Sequence, residues 1–359
     1  MNITCIDPQQ DPLWLKLINR YQSSVFHTPG WIRVLEETYG LKVQAYVLLD
    51  STGEPQAGLT FCRIEDIRGT RLVTMPFSDY CDPLVSSLEQ WTELINPVAQ
   101  ECCPFVIRCV HNQIPLADER LKLFNQTKWH GLDLQPGLDT LWQGLHSSAR
   151  RAIRKAQQNG IVVRRASRKE ELRAFFTLHL QVRKYKYRLL AQPYNFFEHI
   201  WDQFIETQNG VLMLAIDNND IIGGVMFLEW QDGLYYKFNA SASTTLSGRP
   251  NDLLIWEGIN YAKAQGYTHL DFGLSDWDQE GLIRYKRKFA TEEKTIFFLR
   301  YEADKDLSSN AVSATISQPA DRQKQIQRLL PQLTELFTDN TVPDAITEKA
   351  GAALYRFFV

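Results

Sequence analysis

One order of predicted elements occurs twice along the chain, and this repeat limits the possible folds more than any other feature of the sequence. In each half, a helix precedes a three-stranded antiparallel meander, a second helix and a further strand. The local text agrees, since Asp50 leads to Ala57-Gly58-Leu-Thr-Phe61 and Asp217 leads to Gly223-Gly224-Val-Met-Phe227. The repeat predicts a duplicated α/β protein with mixed sheets. Two unrelated α/β halves are the alternative.

The predicted elements also set the domain limits. In the first half, the pattern predicts helices near 30–38 and 88–100 and strands near 43–49, 56–64, 71–75 and 105–110. In the second half, it predicts helices at 148–159, 167–182, 194–208 and 251–266, and strands at 161–166, 211–217, 221–230, 234–241, 268–273 and 295–301. We expect an N-terminal domain at 1–135, a C-terminal catalytic domain at 136–303, and a linker (306–320) and helical tail within 304–359.

Length and composition exclude several classes of protein. A chain of 359 residues with 44% hydrophobic and 12% aromatic residues has material for two cores, which excludes bulk disorder. The net charge of −3 excludes a generally basic nucleic-acid binder but permits a local basic patch. The six cysteines form no C-x-x-C pair, and no histidine cluster is visible, so we expect reduced thiols and no metal. The absence of a signal peptide and of an apolar run of about 20 residues predicts a cytoplasmic protein without a transmembrane segment.

A basic segment lies between His146 and Arg188. It contains 13 Lys and Arg residues against two acidic residues, Glu170 and Glu171. Its first helix is predicted to begin with Ser148 as its cap, and Ser167 to Glu170 reads as a capping box for the next helix. Arg150, Arg151 and Arg154 lie opposite a buried Ala/Ile stripe on the first helix, so we expect them to contribute to anionic ligand binding in a cleft between the domains. A solvated helix face is the alternative.

The order of elements in the second half is typical of N-acyltransferases of the GNAT type. In that fold, the last meander strand and the next strand splay apart, and a helix N-terminus offers N–H groups to the phosphates of an acyl carrier. Here that helix is predicted to start near Asn251, after Ser247-Gly248-Arg249-Pro250. Arg249 and Asn251 are therefore candidate phosphate contacts. The loop does not contain the Q/R-x-x-G-x-G/A pattern of acetyl-CoA enzymes.

Several short motifs resemble one family. They are F26-H-T-P-G-W31, P76-F-S-D-Y80, S148-A-R-R-A-I-R-K-A156, N251-D-L-L-I-W256, L270-D-F-G273 and G281-L-I-R-Y-K-R-K-F289. Together they resemble the Fem-type (FemABX-like) aminoacyl and acyl transferases, including the GNAT-related BioF2-like group. The resemblance covers about residues 25–301 and implies tandem GNAT-like domains. Asp82 and Ala290 stand where that family usually has Gly, and the sequence has no room for the long helical arm of the cell-wall members.

Catalytic candidates follow two predicted strands, where functional residues often lie. Asp79 and Tyr80 end a strand of the first domain, and Asp271 and Ser275 end a strand of the second. Acyl transfer to an amine requires orientation of two substrates, one proton transfer and stabilisation of an oxyanion. For each of these residues a structural role is the alternative: Asp79 capping a turn, or Asp271 holding the loop at Gly273.

The basic run before Phe289 supplies further candidates. Leu282, Tyr285 and Phe289 fall at i, i+3 and i+7 of a predicted helix and are expected to pack inward. The resemblance implies that a lysine near this phenylalanine meets substrate phosphates, which matches Lys286 and Lys288 here, and Arg284 is a neighbouring cation. A solvated basic turn balancing nearby acidic residues is the alternative.

The predicted function is N-acyl or aminoacyl transfer from an activated carrier to an amine acceptor. Resemblance to GNAT proteins implies an acyl-CoA donor, and resemblance to Fem proteins implies an aminoacyl-tRNA donor, with tRNA as a possible partner. No tightly bound cofactor is expected. A catalytically inactive binding module with the same fold and a basic cleft is the alternative. The tail is expected to be a packing extension.

Overall fold

The computed structural model describes residues 2–66, 68–302 and 319–359, with side chains from 328 onward in the last range. The chain divides into two compact units. The first contains Met1–Thr127 with Thr295–Gln332 and Val359, and the second contains Lys128–Lys294 with Leu333–Phe358. The domain limits predicted at 135 and 303 stay a prediction. The predicted linker at 306–320 lies outside the described residues, apart from its last two, which begin a helix.

Helices and strands are interspersed along the whole described chain. In the first part they are β1 (Asn2–Ile6), α1 (Pro12–Arg20), α2 (Pro29–Tyr39), β2 (Val43–Leu49), β3 (Pro55–Asp66), β4 (Gly69–Val73), α3 (Leu88–Gln100), β5 (Phe105–Cys109) and β6 (Leu121–Asp133). The next are α4 (Leu138–Gly144), α5 (Ser147–Gln158), β7 (Val162–Arg165), α6 (Glu170–Gln181), α7 (Tyr194–Ile200), β8 (Gly210–Asp217), β9 (Asp220–Trp230) and β10 (Gly233–Ser241). The last are α8 (Pro250–Gln265), β11 (His269–Ser275), α9 (Glu280–Lys286), β12 (Glu292–Tyr301), α10 (Pro319–Phe337) and α11 (Asp344–Leu354).

The first unit is built on a mixed sheet of order β1-β2-β3-β4-β5-β12. Strands β2, β3 and β4 form an antiparallel meander, and β5 returns parallel to β4 after helix α3. Apolar residues of α3, among them Trp91 and Leu94, pack with Leu59 and Phe105 of the sheet in one core. The parallel pairing of β4 with β5 covers only two residue pairs, the second being Val73 with Val106.

The second unit repeats this arrangement with the order β6-β11-β10-β9-β8-β7. Strands β8, β9 and β10 form the meander, α8 follows, and β11 returns parallel to β10. Helices α5 and α8 share one core with alternate residues of β9, including Val225 and Phe227. Helix, meander, helix and parallel strand therefore occur twice, and the predicted duplication of a mixed α/β fold is confirmed.

The helix starts differ from the predicted caps. His146, and not Ser148, caps α5, because its ring nitrogen accepts the Ser148 backbone N–H. The predicted capping box of α6 does not form: Glu171 accepts the backbone N–H groups of Ser167 and Arg168 while it pairs with Arg164. The α5 stripe of Ala149, Ala152, Ile153 and Ala156 is buried as expected.

The C-terminal segment is held by a lysine that has no exposed surface. The Lys184 ammonium donates to the Val342 carbonyl and, at 2.8 Å, to the carboxylate of Asp344 at the start of α11. Arg173 adds a two-bond contact to Glu348 in the same helix. Since a buried ammonium without partners is costly, residues 342–348 are part of this unit's fold.

Replacing Lys184 with methionine should destabilise the second unit. Lys184→Met keeps the aliphatic stem but removes both hydrogen bonds, so the free energy of unfolding should fall by about 2 kcal/mol. Lys186→Met is the matched control, because Lys186 is exposed two residues away, and it should change stability by less than about 0.5 kcal/mol. Urea unfolding measures both. Equal effects would show that the contact to Asp344 contributes nothing.

Candidate functional site

The strands β10 and β11 diverge in the middle of the second unit. Their parallel pairing covers Gly233 to Tyr235 against His269 to Asp271 and then ends, although both strands continue. Beyond that point, β10 stays paired with β9 up to Ser241, and β11 stays paired with β6 up to Ser275. We call the diverging stretches, 236–241 of β10 and 272–275 of β11, the wedge. Beyond this point the two strands form no ladder with each other, so a gap is left between them into which an extended ligand can fit.

Two irregularities create the wedge. The pairing of β10 with β9 shifts at Lys237, between Tyr236 and Phe238, and the pairing of β11 with β6 shifts between Asp271 and Leu274. Gly273 adopts a positive φ of 66°, which is accessible to glycine at little cost. Bulges of this kind bend a strand and change the face to which its next side chains point.

Two predicted site residues hold the β11 bulge. The carboxylate of Asp271 accepts the Gly273 N–H at 2.6 Å. The ammonium of Lys286 is buried and donates to the carbonyls of Gly273 and Leu274, at 3.1 and 2.6 Å. Burial is the largest cause that lowers the pKa of His130, to about 4, and the positive charge of Lys286 is the second largest. Both side chains therefore support the backbone next to the wedge.

A pocket of about 210 Å³ lies at the start of α8. Its lining residues, called the α8 pocket below, are Leu246, Arg249, Pro250, Asn251, Asp252, Tyr285 and Lys288. The structure thus brings together three residues predicted from the sequence: Arg249, Asn251 and Lys288. Arg249 is in the left-handed region (φ 66°) immediately before α8, and Pro250 occupies the first helical position. A helix N-terminus beside two cations is suited to an anionic ligand.

The electrostatics of the α8 pocket depend on a buried carboxylate. Asp252 lies in the first turn of α8, and burial raises the pKa of its carboxyl group above the ordinary value. Lys288, whose ammonium is 3.3 Å from the carboxylate and 4.9 Å from the centre of the Tyr285 ring, opposes that shift. Lys288 is only partly buried, so its ammonium can bind Asp252 and a ligand anion at once.

Tyr285 is a site residue that the sequence did not identify. It was expected only to pack inward, and its ring does contact Phe289 at 5.7 Å between centroids. Its hydroxyl is buried without a hydrogen-bond partner among the described residues. Burial raises the pKa of Tyr285 well above its ordinary value, so the phenol stays protonated and can donate. No sequence pattern marks this hydroxyl, because its environment depends on the contacts of α8 and α9.

Other predicted residues lie elsewhere in the second unit. Arg150 donates to the Gln143 carbonyl at 2.6 Å, and the Arg154 guanidinium lies 5.5 Å from the centre of the Trp142 ring. Arg151 and Arg284 are exposed. Ser275 is fully buried, and its hydroxyl has no partner in the described part of the chain. The catalytic or ligand-binding roles predicted for these residues stay predictions.

Asp79 and Tyr80 belong to the first unit. Asp79 is half-buried in the loop after β4, and Tyr80 is buried between the rings of Phe26 and His111. The next residue but one, Asp82, accepts the backbone N–H groups of residues 110, 111 and 112 after β5. A glycine has no side chain that could accept these three N–H groups. The unusual Asp82 is therefore explained by support of the loop after β5.

Part of the second unit matches a known family model in sequence. Residues 145–287 match the family model described as an acetyltransferase (GNAT) domain. We call this matched segment, which is less than half of the chain, the GNAT domain. The GNAT domain contains the wedge and every lining residue of the α8 pocket except Lys288. The general activity of such a domain is acyl transfer. No curated protein matches the chain in sequence.

Solved structures show the same fold over most of the chain. FemX is similar with a TM-score of 0.67 and 16% identity, covering 86% of this chain and 98% of FemX. L-PGS from Bacillus licheniformis is similar with a TM-score of 0.54 and 14% identity, covering 92% and 99%. A tandem GNAT protein from the clavulanic acid biosynthesis pathway has a TM-score of 0.51 and 10% identity, covering 83% and 97%. The chain therefore has the Fem-like tandem GNAT fold.

Two further findings concern metals and membranes. Within residues 2–66, 68–302 and 328–359, no group of His, Cys, Asp and Glu is arranged to hold a metal ion. In the described helices, no stretch is long and apolar enough to cross a membrane.

Replacing Lys286 should reduce stability, and this separates its observed contacts from the phosphate role predicted for it. Lys286→Met leaves two carbonyls of β11 without their donor, so we expect the free energy of unfolding to fall by about 2 kcal/mol. Arg284→Met, on the exposed side of α9, should leave stability within about 0.5 kcal/mol. Chemical denaturation of both variants is the measurement. A Lys286→Met protein as stable as the wild type but with a raised donor KM would support the phosphate contact.

Proposed function

We propose that the chain transfers an acyl or aminoacyl group from a phosphate-bearing carrier to an amine, with 136–303 as the catalytic domain. The α8 pocket beside the wedge is the observation that carries this proposal. It combines two cations, the N-terminus of a 16-residue helix and an unpartnered phenol hydroxyl. The six cysteines are all free thiols, which supports a cytoplasmic enzyme.

The carrier's phosphate binds at the start of α8. Arg249 and Lys288 supply the positive charge, and the Asn251 amide supplies a further polar contact. Lys286 is committed to the backbone of β11, so we assign the phosphate contact to Lys288 and not to Lys286. Asp252 holds the Lys288 ammonium at the pocket in the absence of ligand.

The acyl part of the donor enters the wedge. There it is placed between β10 and β11 as an extended segment, which orients its carbonyl for attack by the amine. Attack forms the new C–N bond, and collapse breaks the bond from the carbonyl carbon to the carrier's sulfur or oxygen. The leaving atom takes a proton from the Tyr285 hydroxyl, which regains one from solvent, and the amine loses its proton to solvent.

The donor has two possible sources, and an assay distinguishes them. The chain resembles Fem-type transferases and shares its fold with FemX and L-PGS, which favours an aminoacyl-tRNA donor. The match to the GNAT model favours an acyl-CoA donor. The purified chain is incubated with acetyl-CoA, with a longer acyl-CoA and with aminoacyl-tRNA, each labelled in the acyl group, and with a panel of amines. We expect amine-dependent transfer of the label from one donor class. A chain that consumes neither class would overturn the proposal and favour a binding module.

Salt separates the two donors further. A tRNA contacts many cations, so its KM should rise steeply between about 50 and 200 mM salt, whereas that of an acyl-CoA should change little.

Removing the Tyr285 hydroxyl should lower the rate of the reaction. Tyr285→Phe should reduce kcat by about 100-fold with KM unchanged, because the hydroxyl acts on the leaving atom in the transition state. Stability should not fall, since the hydroxyl has no partner to lose. Tyr194→Phe, in the aromatic cluster of α6 and α7, is the control. Wild-type kcat in Tyr285→Phe would remove Tyr285 from the mechanism.

A further inference from the structure

Asn239 lies on the side of β10 that faces α8. Across the β9–β10 ladder, Asn239 pairs with Val225, and Ser241 pairs with Gly223. Val225 belongs to the core that β9 shares with α8. Since cross-strand partners point to the same face of a sheet, the side chain of Asn239 points to this face.

The bulge at Lys237 determines that the side chain of Asn239 points to the face of the sheet that is covered by α8. Tyr236 pairs with Phe227, which also faces α8, while Phe238 pairs with Met226 on the opposite face. Without the extra residue, strict alternation from Tyr236 would turn Phe238 toward α8 and Asn239 away from it. The bulge therefore places an amide, in a β-strand otherwise rich in aromatic residues, on the same face as the α8 pocket.

The amide nitrogen of Asn239 is a buried donor without an acceptor among the described residues. Tyr285 carries the second such donor on this face. An unpaired buried donor costs about 1–3 kcal/mol, and native proteins pair nearly all such groups. The Ser275 hydroxyl, within the wedge, is a third, and three such donors at one wedge point to an acceptor that the substrate supplies.

On each side of Asn239 in β10, one residue interacts with a residue that lines the α8 pocket. On one side, the Tyr236 ring packs on Phe272, and Tyr236 is close enough to Tyr285 to influence its pKa. On the other side, the Ser241 hydroxyl donates to the Asn251 side chain, which lines the α8 pocket. Asn239 is thus on the path between the opening of the wedge and the proposed phosphate site.

We propose that Asn239 is a catalytic residue whose side-chain N–H donates to the carbonyl oxygen of the acyl group. This inference rests on the proposed function. When the amine nitrogen attacks the carbonyl carbon, an electron pair moves to that oxygen, and the Asn239 amide stabilises the resulting oxyanion. When the intermediate collapses, the pair re-forms the carbonyl, and the leaving sulfur or oxygen takes its proton from Tyr285. Asn239 gains and loses no proton in the cycle.

A neutral amide suits this position. The Asp252 carboxylate lines the α8 pocket, and a neutral donor adds no charge that would bind Asp252 instead of the substrate. A donor aimed at the developing charge stabilises the transition state more than the ground state, so its effect belongs in kcat and not in KM.

The test compares Asn239→Ala, Asn239→Asp and the control Asn260→Ala with the wild type. Asn260 is on α8, and its side-chain contact is to Glu257 of the same helix. Acetyl-CoA and aminoacyl-tRNA are both used as donors. We expect Asn239→Ala to lower kcat by about 100- to 1,000-fold with KM and melting temperature unchanged. Asn239→Asp should lose more, because it places an acceptor against the oxyanion. Asn260→Ala should keep the wild-type kcat.

The outcomes separate this inference from the proposed function. An active wild type with an equally active Asn239→Ala variant overturns the role of Asn239 alone. A loss of activity that follows a fall in melting temperature, or a change confined to KM, assigns Asn239 to structure or to binding and also overturns it. A wild type inactive with both donors overturns the proposed function and this inference with it.

Discussion

The bulge of β11 at Gly273 is the feature on which the rest of the site depends. A left-handed glycine, the Asp271 carboxylate and the buried Lys286 ammonium together stop the parallel pairing of β10 with β11. If the pairing continued, the two strands would close against each other, and no gap would remain for a substrate. The chain thus uses a buried cation, which is costly to desolvate, to keep a sheet open.

The basic segment acts mainly within the fold. Arg164 pairs with Glu171, Lys169 with Asp202, Arg173 with Glu348, and Lys184 with Asp344. Three of these acidic partners lie outside the segment, two of them near the C-terminus, so a count of charges along the sequence overstates the positive surface. In contrast, α5 contains several exposed cations, among them Arg151 and Arg154, and no acidic residue. A contact with a polyanion would therefore be expected at α5.

Hydrophobic patterning predicted the repeated order of elements well. The predicted strand at 43–49 and helix at 88–100 have the limits of β2 and α3. The strand β6 was not predicted, and its residues 122–125 are all exposed, so this part of the strand shows no alternation of buried and exposed positions. Of the pocket residues, Arg249 and Asn251 were predicted from the expected start of one helix, whereas Lys288 was predicted from the family resemblance.

The remaining site residues depend on contacts that no local pattern encodes. Lys286 is in a run of four cations that reads as solvated, yet its ammonium is buried because two carbonyls of β11 face it. Asn239 reads as a polar residue of an ordinary strand, and a single bulge changes the face to which it points. Such register shifts arise from pairing between distant strands, and periodicity in one strand does not reveal them.

The way in which the first unit is completed has a consequence for synthesis. Strand β5 pairs with β12, and Phe297, the residue that pairs with Cys109, is synthesised about 190 residues after it. At roughly 5–20 residues per second, a ribosome needs about 10–40 seconds for that distance. Throughout this interval the nascent first unit exposes the apolar edge of β5, and exposed strand edges are sites of aggregation. During this interval the edge of β5 is a site at which two nascent chains can pair with each other.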